Sequence, residues 1–257
     1  MARWLGLLAI ALVVVLVTVG IVAPAEWAAI AVRHASGGRA DLADASGTIW
    51  DGKGTIVLRA SAEANAVSAS LPERLSWHLK ALPLLTGVVD LTLEHPSALA
   101  SPLAVQVAGR TVSLTGDSLR LPAMLLVGLG APFNTVRPGG TIEVTWGALR
   151  AAEGRLQGQL GVHWSYASSA LTPVSPMGDY RLDTNGVFPG TTLTLQTLQG
   201  PLELTGNGTI GEGGRLRFNG VARALPGTDA AVKTQLTGLI SLLGRRDGDT
   251  AILQFGS

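Results

Sequence analysis

The four histidines, His34, His78, His95 and His163, are the side chains in this sequence best suited to binding a metal ion or moving a proton near neutral pH. A zinc site that is readable from sequence needs histidines or cysteines at short, fixed spacings, such as two histidines four residues apart on a helix. No two of these histidines are two or four residues apart, and the chain contains no cysteine. The sequence therefore predicts no metal site and no thiol chemistry.

Motifs for nucleophilic and nucleotide chemistry are absent from the sequence. It contains no Gly-x-Ser-x-Gly nucleophile elbow, no Gly-x4-Gly-Lys phosphate loop and no Gly-x-Gly-x-x-Gly run between a strand and a helix. Asp51, Asp179 and Asp183 lie near predicted loops and carry the carboxylate of a general acid or base. Their spacing does not distinguish them from solvated loop residues. We expect no catalytic residue, no cofactor and no enzymatic activity.

The charge of the chain is nearly balanced. Charged residues make up 14% of the sequence, the formal net charge is +1, and the basic residues are scattered along the chain. Nucleic-acid binding needs a basic patch that attracts phosphates, so we expect no nucleic-acid partner. The lack of cysteine agrees with an oxidising compartment, because a cysteine-free chain cannot form incorrect disulfides there.

An apolar segment near the N-terminus predicts a membrane span. Residues 4–23 carry no ionisable side chain, and a helix of about 20 residues is needed to cross roughly 30 Å of hydrocarbon. Trp4 and Trp27 flank the segment, and indoles favour the headgroup level of a membrane. Arg3 precedes it and Glu26 follows it, so the charge bias predicts a cytoplasmic head over residues 1–3 and export of the rest.

A cleaved signal peptide is the alternative interpretation, because Ala23-Pro-Ala25 resembles the small residues before a cleavage site. The apolar run is longer than the roughly 7–15 residues of a signal-peptide core, which favours an uncleaved transmembrane helix. Both interpretations export the remainder. We divide it into a juxtamembrane segment over residues 24–46, with two helical turns that stop at Gly37-Gly38, and a β-rich domain over residues 47–257.

Short runs of alternating apolar and polar residues dominate the exported part. Such alternation, with many β-branched residues and with Gly, Pro, Asn or Asp at the boundaries, is typical of antiparallel strands with one buried face. We therefore expect an all-β fold, either an extended, curved antiparallel sheet or a sandwich. The eleven predicted strands cover residues 55–58, 75–79, 88–93, 103–107, 111–114, 141–146, 156–164, 192–195, 202–206, 216–222 and 250–255.

Two segments of this part have helical rather than alternating patterns. Residues 121–132 predict a short helix with Pro122 in its first turn. Apolar residues at helical spacing over residues 232–243 predict a second helix, with Asp229 as N-cap, Gly244 after its end and Arg245-Arg246 at its negative end. We expect this C-terminal helix to cover an exposed end or face of the sheet, whose edge strands otherwise pair with other chains.

Tryptophans mark the positions where a strand has an unusually large apolar side chain. Trp50, Trp77, Trp146 and Trp164 lie in or beside predicted strands, where an indole covers a large apolar area. Core packing is one interpretation. The other is a groove that takes up a partner strand or lipid, and strands around Leu103 and Thr250 are the predicted edges for such pairing.

The run Gly47-Thr-Ile-Trp50-Asp-Gly52, shortly after a single predicted span, resembles the first signature of the type II (general) secretion pathway protein N family. Later blocks that contain Trp77, Gly87, Gly178-Asp-Tyr180 and Gly200-Pro-Leu-Glu-Leu-Thr-Gly206 occur in the order of that family. The resemblance covers essentially the whole chain. The residues it singles out, with a structural role or a place in a groove, are Gly47, Trp50, Gly52, Trp77, Gly87, Gly178, Tyr180 and Gly206.

The resemblance implies a bacterial inner-membrane protein, single-pass, with a cytoplasmic N-terminus and a periplasmic body. Its implied role is that of an accessory component of the type II secretion system, which exports folded periplasmic proteins across the outer membrane. Expected partners are the inner-membrane platform or the outer-membrane secretin, membrane lipid, and further copies of the chain in a homo-oligomer. The family also resembles AsmA-type proteins with lipid-holding β-grooves, so the alternative is a periplasmic lipid- or glycan-binding β-groove protein.

Overall fold

The computed structural model describes residue 20, residues 22–63 and residues 65–256 of the chain. The predicted transmembrane helix over residues 4–23 therefore lies almost entirely outside the described residues, as does the predicted head over residues 1–3. Within the described ranges, none of the helices combines the length and the apolar character that crossing a bilayer requires.

Two antiparallel sheets of nine strands each make up most of the chain, so the all-β prediction is confirmed. With strands numbered in chain order, the first sheet contains β1 (Ala40–Gly47), β2 (Asp51–Arg59), β3 (Ser68–Ser70), β4 (Leu75–Leu79), β5 (Val88–Glu94), β6 (Leu103–Ala108), β7 (Thr111–Thr115), β10 (Leu149–Ala152) and β11 (Arg155–Gln157). The second sheet contains β8 (Ser118–Pro122), β9 (Gly139–Trp146), β12 (Leu160–Ser168), β13 (Gly178–Asn185), β14 (Thr191–Gln199), β15 (Leu202–Ile210), β16 (Leu216–Ala224), β17 (Arg245–Asp247) and β18 (Thr250–Phe255).

The spatial order of the strands shows how the two sheets are connected. The first sheet runs β1-β2-β4-β5-β6-β7-β10-β11, with β3 paired to β2, and the second runs β17-β18-β16-β15-β14-β13-β12-β9-β8. Along the chain, β7 of the first sheet leads into β8 of the second, β9 of the second leads into β10 of the first, and β11 of the first leads into β12 of the second. In each sheet the three strands are neighbours. Three adjacent strands of one sheet are thus joined directly to three adjacent strands of the other. We call this junction the seam.

Each of the three connections at the seam begins with a glycine. The breaks are Gly116-Asp117 between β7 and β8, Gly147-Ala148 between β9 and β10, and Gly158-Gln159 between β11 and β12. Gly158 has φ +129°, a conformation that L side chains rarely adopt, and a Cβ there would collide with the side chain of Leu149. Gly158 therefore allows the chain to bend out of β11 in the first sheet and into β12 in the second.

The seam corrects the prediction of a single strand over residues 156–164. The structure divides this run at Gly158-Gln159 into β11, in the first sheet, and β12, in the second. The alternation of apolar residues continues across the break with the same period of two, so periodicity alone does not reveal the bend.

The sheet begins with β1 at Ala40, inside the segment 24–46 that the sequence pattern separated from the β-rich domain. This strand is rich in Ala and Asp and lacks β-branched residues, so its alternation is weak. Asp41 is buried, and its carboxylate accepts two hydrogen bonds from the Arg33 guanidinium, at 3.0 and 2.8 Å. An ion pair with the preceding helix therefore holds β1 in place, and the local pattern gives no indication of that partner.

The helix before β1, which we call α1 (Glu26–Ala35), ends before the left-handed residues Gly37 and Gly38, as the sequence predicts. Its buried side chains are small: Ala29 packs with Ala25, Leu42 and Trp77 in the core of the first sheet. Small residues allow the helix backbone to approach the sheet closely.

The short helix predicted over residues 121–132 is a 3-10 helix (Ala123–Leu129) that connects β8 to β9 in the second sheet, with Pro122 as the residue before it. A four-residue helix, α3 (Phe133–Val136), follows it, and α2 (Ala81–Leu84) connects β4 to β5. Leu125 of the 3-10 helix is buried together with Leu71 and Ala98, and β2 and β8 add apolar side chains around them. This third core therefore joins elements of both sheets.

The predicted C-terminal helix is present as α4 (Ala230–Leu243), and the Asp229 carboxylate accepts the Ala231 N–H at 2.7 Å. The helix packs on the second sheet through Leu236, Leu239 and Ile240, in the largest core of the described chain. Arg245 and Arg246 follow the helix end in β17, which pairs with β18.

Replacing Leu236 by alanine tests whether α4 is an integral part of the core. The side chain is fully buried, so we expect Leu236→Ala to lower the free energy of unfolding by about 2–5 kcal/mol, measured by urea denaturation and tryptophan fluorescence of residues 24–257. Leu242 in the same helix is 71% exposed, and Leu242→Ala should stay within about 0.5 kcal/mol. Equal effects of the two substitutions would contradict this packing.

Candidate interaction site

The first signature residues come together where β1 turns into β2. The Trp77 indole of β4 lies against Gly52 of β2, where a Cβ would collide with its ring, and it donates a hydrogen bond to the Ile49 carbonyl at 3.1 Å. Gly47 turns the chain with φ +95°. Trp77 is only 6% exposed. The glycines of this signature therefore leave the space that a buried indole fills.

Trp50, in the same turn, contacts the end of the predicted span. Its indole N–H donates to the Gly20 carbonyl at 2.7 Å. Two backbone hydrogen bonds run alongside, from Ile49 N to the Ala23 oxygen at 2.9 Å and from Ala25 N to the Gly47 oxygen at 3.1 Å. The turn over residues 48–50 is thus fastened to the chain at the point where the apolar segment ends.

Gly178 and Tyr180 form a separate cluster in the second sheet. The Tyr180 hydroxyl is buried and donates to the Leu202 carbonyl at 3.0 Å, and burial, with a smaller contribution from Asp179, raises the pKa of this phenol well above its usual range. A Cβ on Gly178 would collide with the Tyr180 ring, and a Cβ on Gly206 would meet the ring of Phe218. These glycines make room for aromatic side chains, as Gly52 does in the first sheet.

The signature residues therefore occupy more than one site. Gly47, Trp50, Gly52 and Trp77 meet at one end of the first sheet, and Gly87 lies at the same end, in the turn before β5, with φ +77°. The residues of the second sheet pack in the core that α4 completes. Within the described residues, the structure assigns most of them packing or turn roles, and their predicted place in a groove stays a prediction.

The candidate acids and bases have separate hydrogen-bond partners. Asp51 pairs with His78 at 2.8 Å in an exposed contact, and Asp179 accepts the Tyr166 N–H at 2.7 Å and the Gln199 amide at 2.6 Å. The buried His95 ring accepts the Ala98 N–H through Nδ1 at 3.0 Å. In the described part of the chain, no three His, Asp or Glu side chains cluster as metal ligands would.

Register places apolar residues of neighbouring strands directly opposite one another, so that they share one face of each sheet. In the first sheet, Leu91 lies opposite Val105, which lies opposite Leu114, and all three are half-buried. A similar row crosses the second sheet through half-buried positions, namely Leu119, Val144, Val162, Leu182 and Leu195. We call these two rows the apolar face, and Leu91, Leu119 and Leu195 also pack against the cores. Sequence alternation indicates each row strand by strand, but only the register shows that it continues within its sheet.

The model of the family described as type II secretion system (T2SS), protein N, matches residues 39–253. The chain belongs to this family. The matched region starts one residue before β1 and ends within β18, so it includes both sheets, the seam and α4. Searches of curated proteins and of solved structures found no match.

Membership confirms the family resemblance that begins at Gly47 and connects the chain with protein transport by type II secretion. A member of such a system interacts with its other components and is associated with the cell envelope. The region matched to the family leaves out α1 and residues 1–38. The signature turn over residues 48–50 is therefore the part of the matched region that contacts the end of the apolar segment.

The contact between Gly52 and Trp77 can be tested with a single methyl group. A Cβ on Gly52 meets both the indole and the Thr48 carbonyl, so Gly52→Ala should lower the free energy of unfolding by about 1–3 kcal/mol through overpacking. Gly238 in α4 has open space around it, and Gly238→Ala should raise that free energy by about 0.5–1 kcal/mol. Urea denaturation of both variants measures the two effects. Wild-type stability of Gly52→Ala would contradict the close contact.

Proposed function

We propose that this chain is an accessory inner-membrane component of the type II secretion system. It supports export of folded periplasmic proteins across the outer membrane by binding other components, without catalysing a reaction. The observation that carries the proposal is the family match over both sheets. The predicted apolar segment supplies the membrane anchor in this proposal, with the two sheets in the periplasm.

Strand edges decide where a partner strand can be added. β6, which contains Leu103, lies between β5 and β7, so its predicted role as an edge strand is wrong. β18 is different: β16 pairs with it from Thr250 to Phe255, whereas β17 pairs only with Thr250, Ala251 and Ile252. The outer side of β18 beyond Ile252 is therefore where pairing with a partner fits best. Phe255 in this region is 52% exposed.

Loss of the chain should reduce secretion through the type II system, and expression of the full chain should restore it. A photo-crosslinking amino acid at Phe255 should capture another component of the system in intact cells. The same crosslinker at Leu242, which is 71% exposed on α4, is the matched control. Mass spectrometry of the crosslinked product identifies the partner. Normal secretion in cells that lack the chain would contradict the proposal.

A lipid- or glycan-binding β-groove is the second candidate function. The apolar face supports its lipid form, because half-buried residues such as Val105 in the first sheet and Val162 in the second lie in rows that continue from strand to strand within each sheet. Acyl chains match such a surface, since they remove apolar area from water without needing hydrogen bonds. The low content of charged residues, 14% of the sequence, agrees with this candidate.

Native mass spectrometry of residues 24–257, exported and purified without detergent, tests the groove. We expect bound lipid on the wild type and a loss of that lipid in Val105→Asp, because the new carboxylate would lie on the apolar face. Gln106 follows Val105 in β6 and points to the opposite face, so Gln106→Asp should retain the lipid. A wild-type protein without lipid would rule out this second function.

A further inference from the structure

Four turns lie side by side at one end of the first sheet. Because neighbouring strands are antiparallel, the register brings together the β1–β2 turn, the segment between β4 and β5, the β6–β7 turn and the β10–β11 turn. Gly20, Ala23 and Ala25 join the same end through their hydrogen bonds to Trp50, Ile49 and Gly47. The chain before Gly20 is the predicted span, so this end of the sheet is the one nearest to the proposed membrane anchor.

The segment between β4 and β5 is connected to this anchor point in two steps. The Leu79 N–H donates to the Trp50 carbonyl at 2.7 Å, and the Trp50 indole donates to the Gly20 carbonyl at 2.7 Å. Lys80 lies at the base of the segment and is bound to Asp90 in two ways. Its backbone N–H donates to the Asp90 backbone carbonyl, and its ammonium donates to the Asp90 carboxylate, both at 3.0 Å. Residues 81–87, which we call the leucine tip, therefore project from a fixed base beside the predicted span.

The leucine tip has the two most exposed large apolar side chains among the described residues. Leu82 is 79% exposed and Leu85 is 84% exposed. Other exposed apolar side chains at the start of the described chain are Val22, at 62%, and Trp27, at 49%. Scattered exposed apolar residues are ordinary in soluble proteins. Here, however, the strongest exposure lies at the end of the sheet that is closest to the predicted span.

The backbone of the tip already satisfies many of its own hydrogen bonds. The N–H groups of Leu85, Thr86 and Gly87 donate to the carbonyls of Leu82, Pro83 and Leu84, at 3.0–3.1 Å, and the Thr86 hydroxyl donates to Pro83 O at 2.8 Å. Unpaired peptide groups are the main obstacle to placing irregular chain in an apolar medium. A closed turn of this kind reduces that obstacle while presenting leucines outward.

Charge at this end of the sheet is balanced rather than basic. Arg110 and Arg155 lie in or beside the same row of turns as Glu153 and Asp51, and Lys80 is paired with Asp90. Attraction to anionic lipid requires an excess of Lys and Arg near the membrane surface. The exposed apolar side chains, rather than the charges, therefore determine what kind of partner this end of the sheet can bind.

We propose that the leucine tip inserts Leu82 and Leu85 into the interfacial region of the periplasmic leaflet, beside the predicted span. The partner is the lipid bilayer itself. This inference rests on the membrane anchorage in the proposed function and adds a second contact with the membrane. Two contacts hold the first sheet at a fixed orientation to the bilayer, whereas one contact alone allows it to tilt.

The lack of cysteine makes the test direct, because one introduced thiol can be labelled uniquely. Full-length chain carrying Leu85→Cys with an environment-sensitive fluorophore is reconstituted in phosphatidylcholine vesicles that contain nitroxide-labelled lipid. We expect a blue-shifted emission and strong quenching by nitroxides near the headgroups. The matched control is Leu242→Cys, at a site that is 71% exposed on α4, and it should show neither effect. Adding phosphatidylglycerol should leave the quenching at Leu85 unchanged.

A third label, at Val22→Cys, separates failure of this inference from failure of the proposed anchorage. Quenching at Val22 without quenching at Leu85 would overturn the membrane role of the tip and leave the anchor intact. That outcome is also the one expected if the tip binds a protein partner, because the vesicles contain none. If neither label is quenched, the anchorage and the inference built on it both fail.

Discussion

The connection of three neighbouring strands of one sheet to three neighbouring strands of the other is the constraint on which the rest of the structure depends. Three adjacent strands pass from one sheet to the other, so the positions of the two sheets are coupled by main-chain connections rather than by a single linker. Each of the three connections begins with a glycine, namely Gly116, Gly147 and Gly158, and at Gly158 the φ of +129° favours glycine. Leu119 and Leu121 of β8 then pack near Ile56 and Leu58 of β2, which gives a core shared by both sheets.

Small residues have a second role wherever a large aromatic side chain is buried. Gly52 beside Trp77 and Gly178 beside Tyr180 show the same arrangement in different sheets. The aromatic ring fills the volume that the glycine leaves, and its polar atom is satisfied by a backbone carbonyl. In this chain Gly52 with Trp77 and Gly178 with Tyr180 therefore have packing roles in the fold. A binding function depends instead on the exposed faces and edges of the sheets.

The chain has several surfaces that differ in chemistry. Each sheet has a row of half-buried apolar residues, one edge at β18 is only partly covered, and one end has exposed leucines beside the end of the apolar segment. Their separation matters for the proposed function, because an anchored protein must contact the membrane and a partner at the same time. A tip that fixes the first sheet on the bilayer leaves the edge of the second sheet available.

The sequence by itself determined the all-β class, the start of α4 at Asp229 and the family, because alternation, capping and short motifs are local properties of the chain. It did not determine β1, whose buried Asp41 pairs with Arg33 and Arg59 in other elements, nor the division of residues 156–164 between two sheets. The sequence also placed Trp77 and Gly52 among the residues of the family resemblance, but it did not show that the Trp77 indole lies against Gly52. Tertiary structure decided these points, because strand register and burial depend on partners that are distant in sequence. The alternation of apolar and polar residues also keeps its period of two through a bend, so it does not reveal where one sheet ends and the next begins.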